Sequence, residues 1–206
     1  MSGALAVVIV LVLVAGDAVG SVVTTAHEGG HMVIALVTGR RIDYFELGEE
    51  GGGVTTFADR GWGPGRILLW VAGYVTPPLL GLAGAALLIA GNAWPLLWTA
   101  VALLLLAWIK ARGEGATGVA VLVAAAIGYV ALYGSPVLQA AFAAGLVWLL
   151  LVGGLRAAVL HGWRSDESDA AQLARDTLIP RVVWYAAFVA IALYCLLKGT
   201  RLLLSI

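Results

Sequence analysis

Charge is scarce in this chain. Only 12% of its 206 residues are Asp, Glu, Lys or Arg, about half the usual share of roughly 25% in soluble domains. Neither sign is in excess, since 12 basic residues face 12 acidic ones. That balance excludes the basic surface by which proteins hold nucleic acid. Cysteine is almost missing: Cys195 stands alone in the apolar run 191–197, which rules out a disulfide framework. The opening Met1-Ser2-Gly3 has no basic residue, so the first apolar run reads as a retained span rather than a cleaved signal peptide.

What is abundant is apolar surface, at 62% of residues, with eight Trp. No soluble fold of this length buries that much, so the solvent must be the lipid bilayer, where indoles favour the interface. A span needs about 20 apolar residues. Six regions qualify. The first begins between Gly3 and Val12 and ends at Val37; the others cover about 67–90, 93–109, 116–133, 136–160 and 180–197. Read as one helix from Gly3, the first would be about 50 Å long. It either protrudes or breaks near Gly16-Asp17 or Gly20-Ser21. Pro77-Pro78 in the second predicts a kink.

Two stretches do not suit lipid. Residues 42–47 and 54–57 alternate around the glycine-rich joint 48–53, which predicts a small β-hairpin. The polar stretch 161–179 contains a short helix over 168–178, with Ser168 at its N-cap and Asp169 in its first turn. The fold class is therefore an all-α polytopic membrane protein. It has about six transmembrane helices, a hairpin after the first and a polar, re-entrant segment before the last, in one domain over 1–206. Basic residues cluster after the first, third and fifth spans (Arg40, Arg41, Arg60, Arg66; Lys110, Arg112; Arg156, Arg164, Arg175, Arg181). The positive-inside rule then places the N-terminus outside and those loops in the cytoplasm.

The chain has three His, and two of them stand in His27-Glu28-Gly29-Gly30-His31. Residues four apart share a helix face, so two imidazoles can reach one metal ion while Glu28 reaches the water beside it. This is the His-Glu-x-x-His arrangement of zinc proteases. Ionisable groups inside a span are costly and tend to be functional. A plain hydrogen-bonded cluster between helices is the competing reading, against which stand Gly29 and Gly30, each costing about 1 kcal/mol mid-helix. A catalytic zinc typically takes a third protein ligand. The candidates are Asp169, Asp166, Glu167 and His161, and more remotely Asp17 and Glu114. His31 lies about 12 Å inside the cytoplasmic end of its helix, within reach of a re-entrant 161–179 segment.

HEGGHMVIALVTGR, the glycine-rich stretch ending GGGVTTF, GYVTPPLLG on the next span and SDAAQLARDTLIPRVVW together resemble the site-2 protease family of intramembrane metallopeptidases. The likeness is to its short bacterial branch without a PDZ domain. Two departures stand out. Asp169 is followed by Ala where better-known members carry Asp-Gly, and the 73–78 motif lacks the family's usual Asn. The resemblance implies Zn2+ held by His27, His31 and Asp169, with Glu28 activating water. It implies a bacterial plasma membrane protein that hydrolyses single-span membrane substrates in regulated intramembrane proteolysis. The hairpin edge at Gly52, Gly53, Val54 and Thr55, and the second-span residues Tyr74, Thr76 and Pro77, are then the expected substrate contacts. A metal-ion transporter and a catalytically inactive helix-binding relative are the competing functions. Nothing in the residues fixes an oligomeric state.

Overall fold

The computed structural model describes residues 16–47, 53–57, 63–112, 114–163 and 166–205. In chain order they form α1 (Gly16–Val37), β1 (Ile42–Leu47), β2 (Gly53–Phe57), α2 (Pro64–Ile89), α3 (Ala93–Lys110), β3 (Ala111–Arg112), α4 (Glu114–Tyr133), α5 (Pro136–His161), α6 (Asp169–Thr177) and α7 (Arg181–Leu204). Three helices, α2, α5 and α7, are long and apolar enough to cross a membrane. At 26 residues, α2 and α5 are each about 39 Å long. α3 and α4 carry shorter apolar runs, Ala93–Leu105 and Val121–Tyr133. Large apolar side chains such as Leu122, Val182, Leu193 and Leu197 face outward, as lipid-facing helices require. The protein is integral to the membrane.

The helix ends follow local rules. α1 stops where Gly39 adopts a positive φ of 71°, and Arg40 N–H bonds back to Ala35 C=O at 2.8 Å. That is a left-handed C-terminal cap, which glycine makes without Cβ strain. α2 and α5 each start with a proline in the first turn, and Ser135 caps α5 by accepting from Leu138 N–H at 3.3 Å. α1 runs without interruption through Gly20-Ser21, so the expected break is not there; residues 1–15 lie outside the described set. Pro77 and Pro78 sit inside α2, which continues as one element to Ile89. Each proline lacks an N–H, so the carbonyls of Gly73 and Tyr74 lose their helical partners.

α7 extends seven residues beyond the expected end near Leu197. Lys198 and Arg201 do not terminate it: one charged residue per turn is compatible with a helix, and Gly199 is buried against Leu151 of α5. β1 pairs antiparallel with β2 (Phe45 opposite Thr55, Leu47 opposite Gly53). The joint, residues 48–52, lies outside the described residues. A strand the sequence did not announce, β3, pairs parallel with β1 through Phe45–Ala111 and Glu46–Arg112, giving the sheet order β2-β1-β3.

Water gives membrane helices no hydrophobic incentive to associate, so close van der Waals contact holds them together. The main core is built on α2, α3, α4, α5 and α7 around fully buried Trp148 and Leu151. Glycines let backbones approach there: Gly81 meets Leu151, Gly84 meets Val147 and Gly153 meets Val23. A second cluster, Tyr74, Ala158, Ala170, Leu173, Phe188 and Ala192, anchors the short α6 between α2, α5 and α7.

Candidate active site

Four side chains meet inside the bundle. α1 supplies His27, Glu28 and His31. His27 and His31 stand one turn apart, with their Nε2 atoms separated by 3.2 Å. α6 brings in Asp169, because Asp169, Ala170 and Leu173 share its buried face. Asp169 Oδ2 lies 3.3 Å from His27 Nε2 and 3.4 Å from His31 Nε2. The three atoms form a nearly equilateral triangle.

A zinc ion fits that triangle. Tetrahedral zinc with ligand bonds of about 2.0–2.1 Å sets its ligand atoms about 3.3–3.4 Å apart. Asp169 Oδ2 is also buried without a hydrogen-bond donor in bonding geometry. A buried carboxylate oxygen in that position calls for a cation.

The imidazoles are oriented. His31 Nδ1 lies 2.7 Å from the Leu69 carbonyl of α2. A carbonyl only accepts, so Nδ1 carries the proton and Nε2 presents its lone pair to the triangle. His27 meets the Tyr74 ring edge-on at 4.5 Å, and Tyr74 in turn lies 5.2 Å from Phe188. Glu28 is 4% exposed, with Oε1 4.0 Å from His27 Nε2. It sits beside the triangle rather than in it, where a carboxylate can hold water next to a bound ion. His27 is the most open of the four, its side chain 16% exposed against 4–8% for Glu28, His31 and Asp169.

Other expected residues lie elsewhere. The Asp166 side chain is fully exposed and pairs with Arg181 at 3.3 Å, while Glu167 and His161 are exposed. The side chains of Asp17 and Glu114, and the whole of Gly52, fall outside the described residues. Gly53, Val54 and Thr55 lie in β2, an outer strand of the sheet. Thr76 packs on Gly30 of α1. Pro77 is fully buried in the helix contact with Gly154 of α5, not on an open cleft.

Gly73 matters in a way the sequence did not show. A Cβ built on it would overlap Asp169 Oδ2 and stand 2.6 Å from His27 Nε2. Alanine improves helix propensity over glycine by about 1 kcal/mol, so any loss in Gly73→Ala comes from that overlap. We expect Gly73→Ala to bind little zinc while staying folded. Gly29→Ala is the control: its Cβ meets nothing within 4 Å, and its zinc content should match the parent. Equal zinc in both variants would show that Gly73 does not shape the site.

A helical membrane protein with one buried and one half-buried imidazole and a buried carboxylate converging on one point, and a glutamate alongside, has the makings of a membrane metallopeptidase. The chain belongs to the Peptidase M50B-like family, the site-2 protease family, matched over residues 1–199. Comparison with curated proteins and with solved structures gives no match.

Proposed function

We propose that the protein is a zinc-dependent intramembrane endopeptidase acting on single-span membrane proteins in regulated proteolysis. The observation that carries this is the His27–His31–Asp169 triangle with buried Glu28 at its side. In this reading the two Nε2 atoms and Asp169 Oδ2 hold the ion. When bound, zinc supplies Lewis-acid polarisation of the scissile carbonyl and of the attacking water. Glu28 takes the water proton as general base and delivers it to the leaving amine. His31 keeps its tautomer through Leu69, and the surrounding helices keep bulk water out.

An extended substrate would pair along the outer edge of β2, at Gly53, Val54 and Thr55, as in strand addition. Tyr74 and Thr76 would flank its cut site. The orientation that goes with this has the N-terminus outside, six spans (α1, α2, α3, α4, α5 and α7) in a bacterial plasma membrane, and cutting near the cytoplasmic face. A transporter would call for several ligand sites along a path. Among the described residues, metal-binding side chains gather at one place, where Glu28 and Asp169 both stand beside His27 and His31.

The test is reconstitution of the full chain in lipid vesicles with a single-span reporter. Cleavage should stop on zinc chelation and return when zinc is restored. Zinc flux across the vesicle without cleavage would favour the transporter. Tight zinc binding with neither flux nor cleavage would favour the inactive relative.

A further inference from the structure

Asp169 reaches the metal triangle from a nine-residue helix, and two arginines grip the turn that precedes it: Arg175 donates to the Asp166 carbonyl, and Arg181 makes the larger set of contacts. Arg181, the first residue of α7, donates through Nη1 to Asp166 Oδ1 at 3.3 Å and through Nη2 to Ser168 Oγ at 3.2 Å. Nη2 also donates to the Trp163 carbonyl, and the guanidinium lies over the Trp163 ring at 4.6 Å. We propose that Arg181 is the positioning residue for the third metal ligand, fixing residue 168 so that Asp169 Oδ2 closes the triangle. The proposal rests on the zinc-site reading above.

Three observations support it. Ser168 occupies the N-cap of α6, where a serine hydroxyl ordinarily accepts from the helix's own N–H groups. Here it makes no such bond and accepts from Arg181 instead. A local preference set aside in this way marks a position with another task. Secondly, Asp166 is fully exposed, so its ion pair with Arg181 is weak. The Nη2 bonds to the Trp163 carbonyl and to Ser168 carry the grip, and the planar guanidinium lying over the Trp163 ring aims that nitrogen, which a lysine ammonium cannot reproduce. Thirdly, two other ties on α6 lie at its far end, Arg66 Nε to Asp176 Oδ2 at 2.7 Å and Trp184 Nε1 to Thr177 Oγ1 at 3.1 Å, while Arg175 reaches back to the Asp166 carbonyl, two residues short of Ser168. Arg181 instead holds Ser168, the residue bonded to Asp169. A ligand must stay within about 0.5 Å of its place to keep the site intact.

The experiment is a zinc titration of the detergent-purified full chain against a competing chelator. Groups that orient metal ligands are worth about 10–100-fold in affinity. Arg181→Ala should weaken zinc binding by that factor, and saturating zinc should restore full stoichiometry. A merely structural role would instead lower the folded fraction and leave the affinity of the remainder unchanged. Arg181→Lys, which keeps the charge, should also bind zinc more weakly. Ser168→Ala should fall in the same direction, and combined with Arg181→Ala should add little. Asp166→Asn should match the parent. Parental affinity in both Arg181→Lys and Ser168→Ala would overturn the proposal. Zinc bound by the parent without any cleavage would count against the peptidase reading while leaving these affinities decisive for Arg181.

Discussion

Glu28→Gln should retain its zinc and lose its cleavage. Glutamine has nearly the shape of glutamate, so the buried side chain can be replaced without leaving a cavity. What changes is basicity: an amide takes no proton from water. General-base contributions amount to about 10²–10⁴-fold in rate, and that is the expected loss. The metal should stay because Glu28 Oε1 lies 4.0 Å from His27 Nε2 and is not one of the triangle's corners. Zinc per protein, measured beside the cleavage rate on the same preparation, separates the two effects. A Gln variant that cuts at the parental rate would refute the mechanism; one that cuts slowly because it has lost zinc would make Glu28 a ligand instead.

Removing Asp169 should have the larger effect on the metal. Asp169→Ala deletes the single carboxylate among the three corners and leaves two neutral imidazoles. Zinc in a buried setting loses both a bond and a compensating charge. We expect zinc to fall to background in that variant, with activity falling alongside it. Asp166→Ala should keep both, since the Asp166 carboxylate is fully exposed and faces Arg181 rather than the triangle. Three residues separate the two aspartates in sequence, and the turn into α6 sends them in different directions. Full zinc in Asp169→Ala would remove the carboxylate from the ligand set.

Part of this site was legible beforehand. The four-residue spacing of His27 and His31 fixes a shared helix face whatever the tertiary fold. Ser168 and Asp169 announce the start of a short helix, though not which of its sides is buried. The partners that orient these groups left no trace. Leu69 acts through its backbone carbonyl, which every residue has. Arg181 was legible only as one more basic residue in a cluster of like charge, and the destination of its guanidinium depends on how the turn at 166–168 folds. Gly73 was noticed as part of a proline-containing motif, but the atoms above it come from α1 and α6, remote in sequence. β3 is two residues, too short for alternation to show. The apolar run that marks the last span ends near Leu197, but the helix goes on, with Gly199 packed on Leu151.

The converging side chains come from opposite ends of the chain: His31 lies in α1, and Asp169 follows about 140 residues later, a wide loop to close by chance encounter. A chain entering the membrane from its N-terminus exposes the imidazole pair early and the carboxylate late. Until α6 has emerged and docked against α2 and α7, the nascent protein has Glu28 and two histidines but no third corner. Assembly order therefore decides when the site exists at all: a truncated or half-inserted copy lacks the third corner of the triangle.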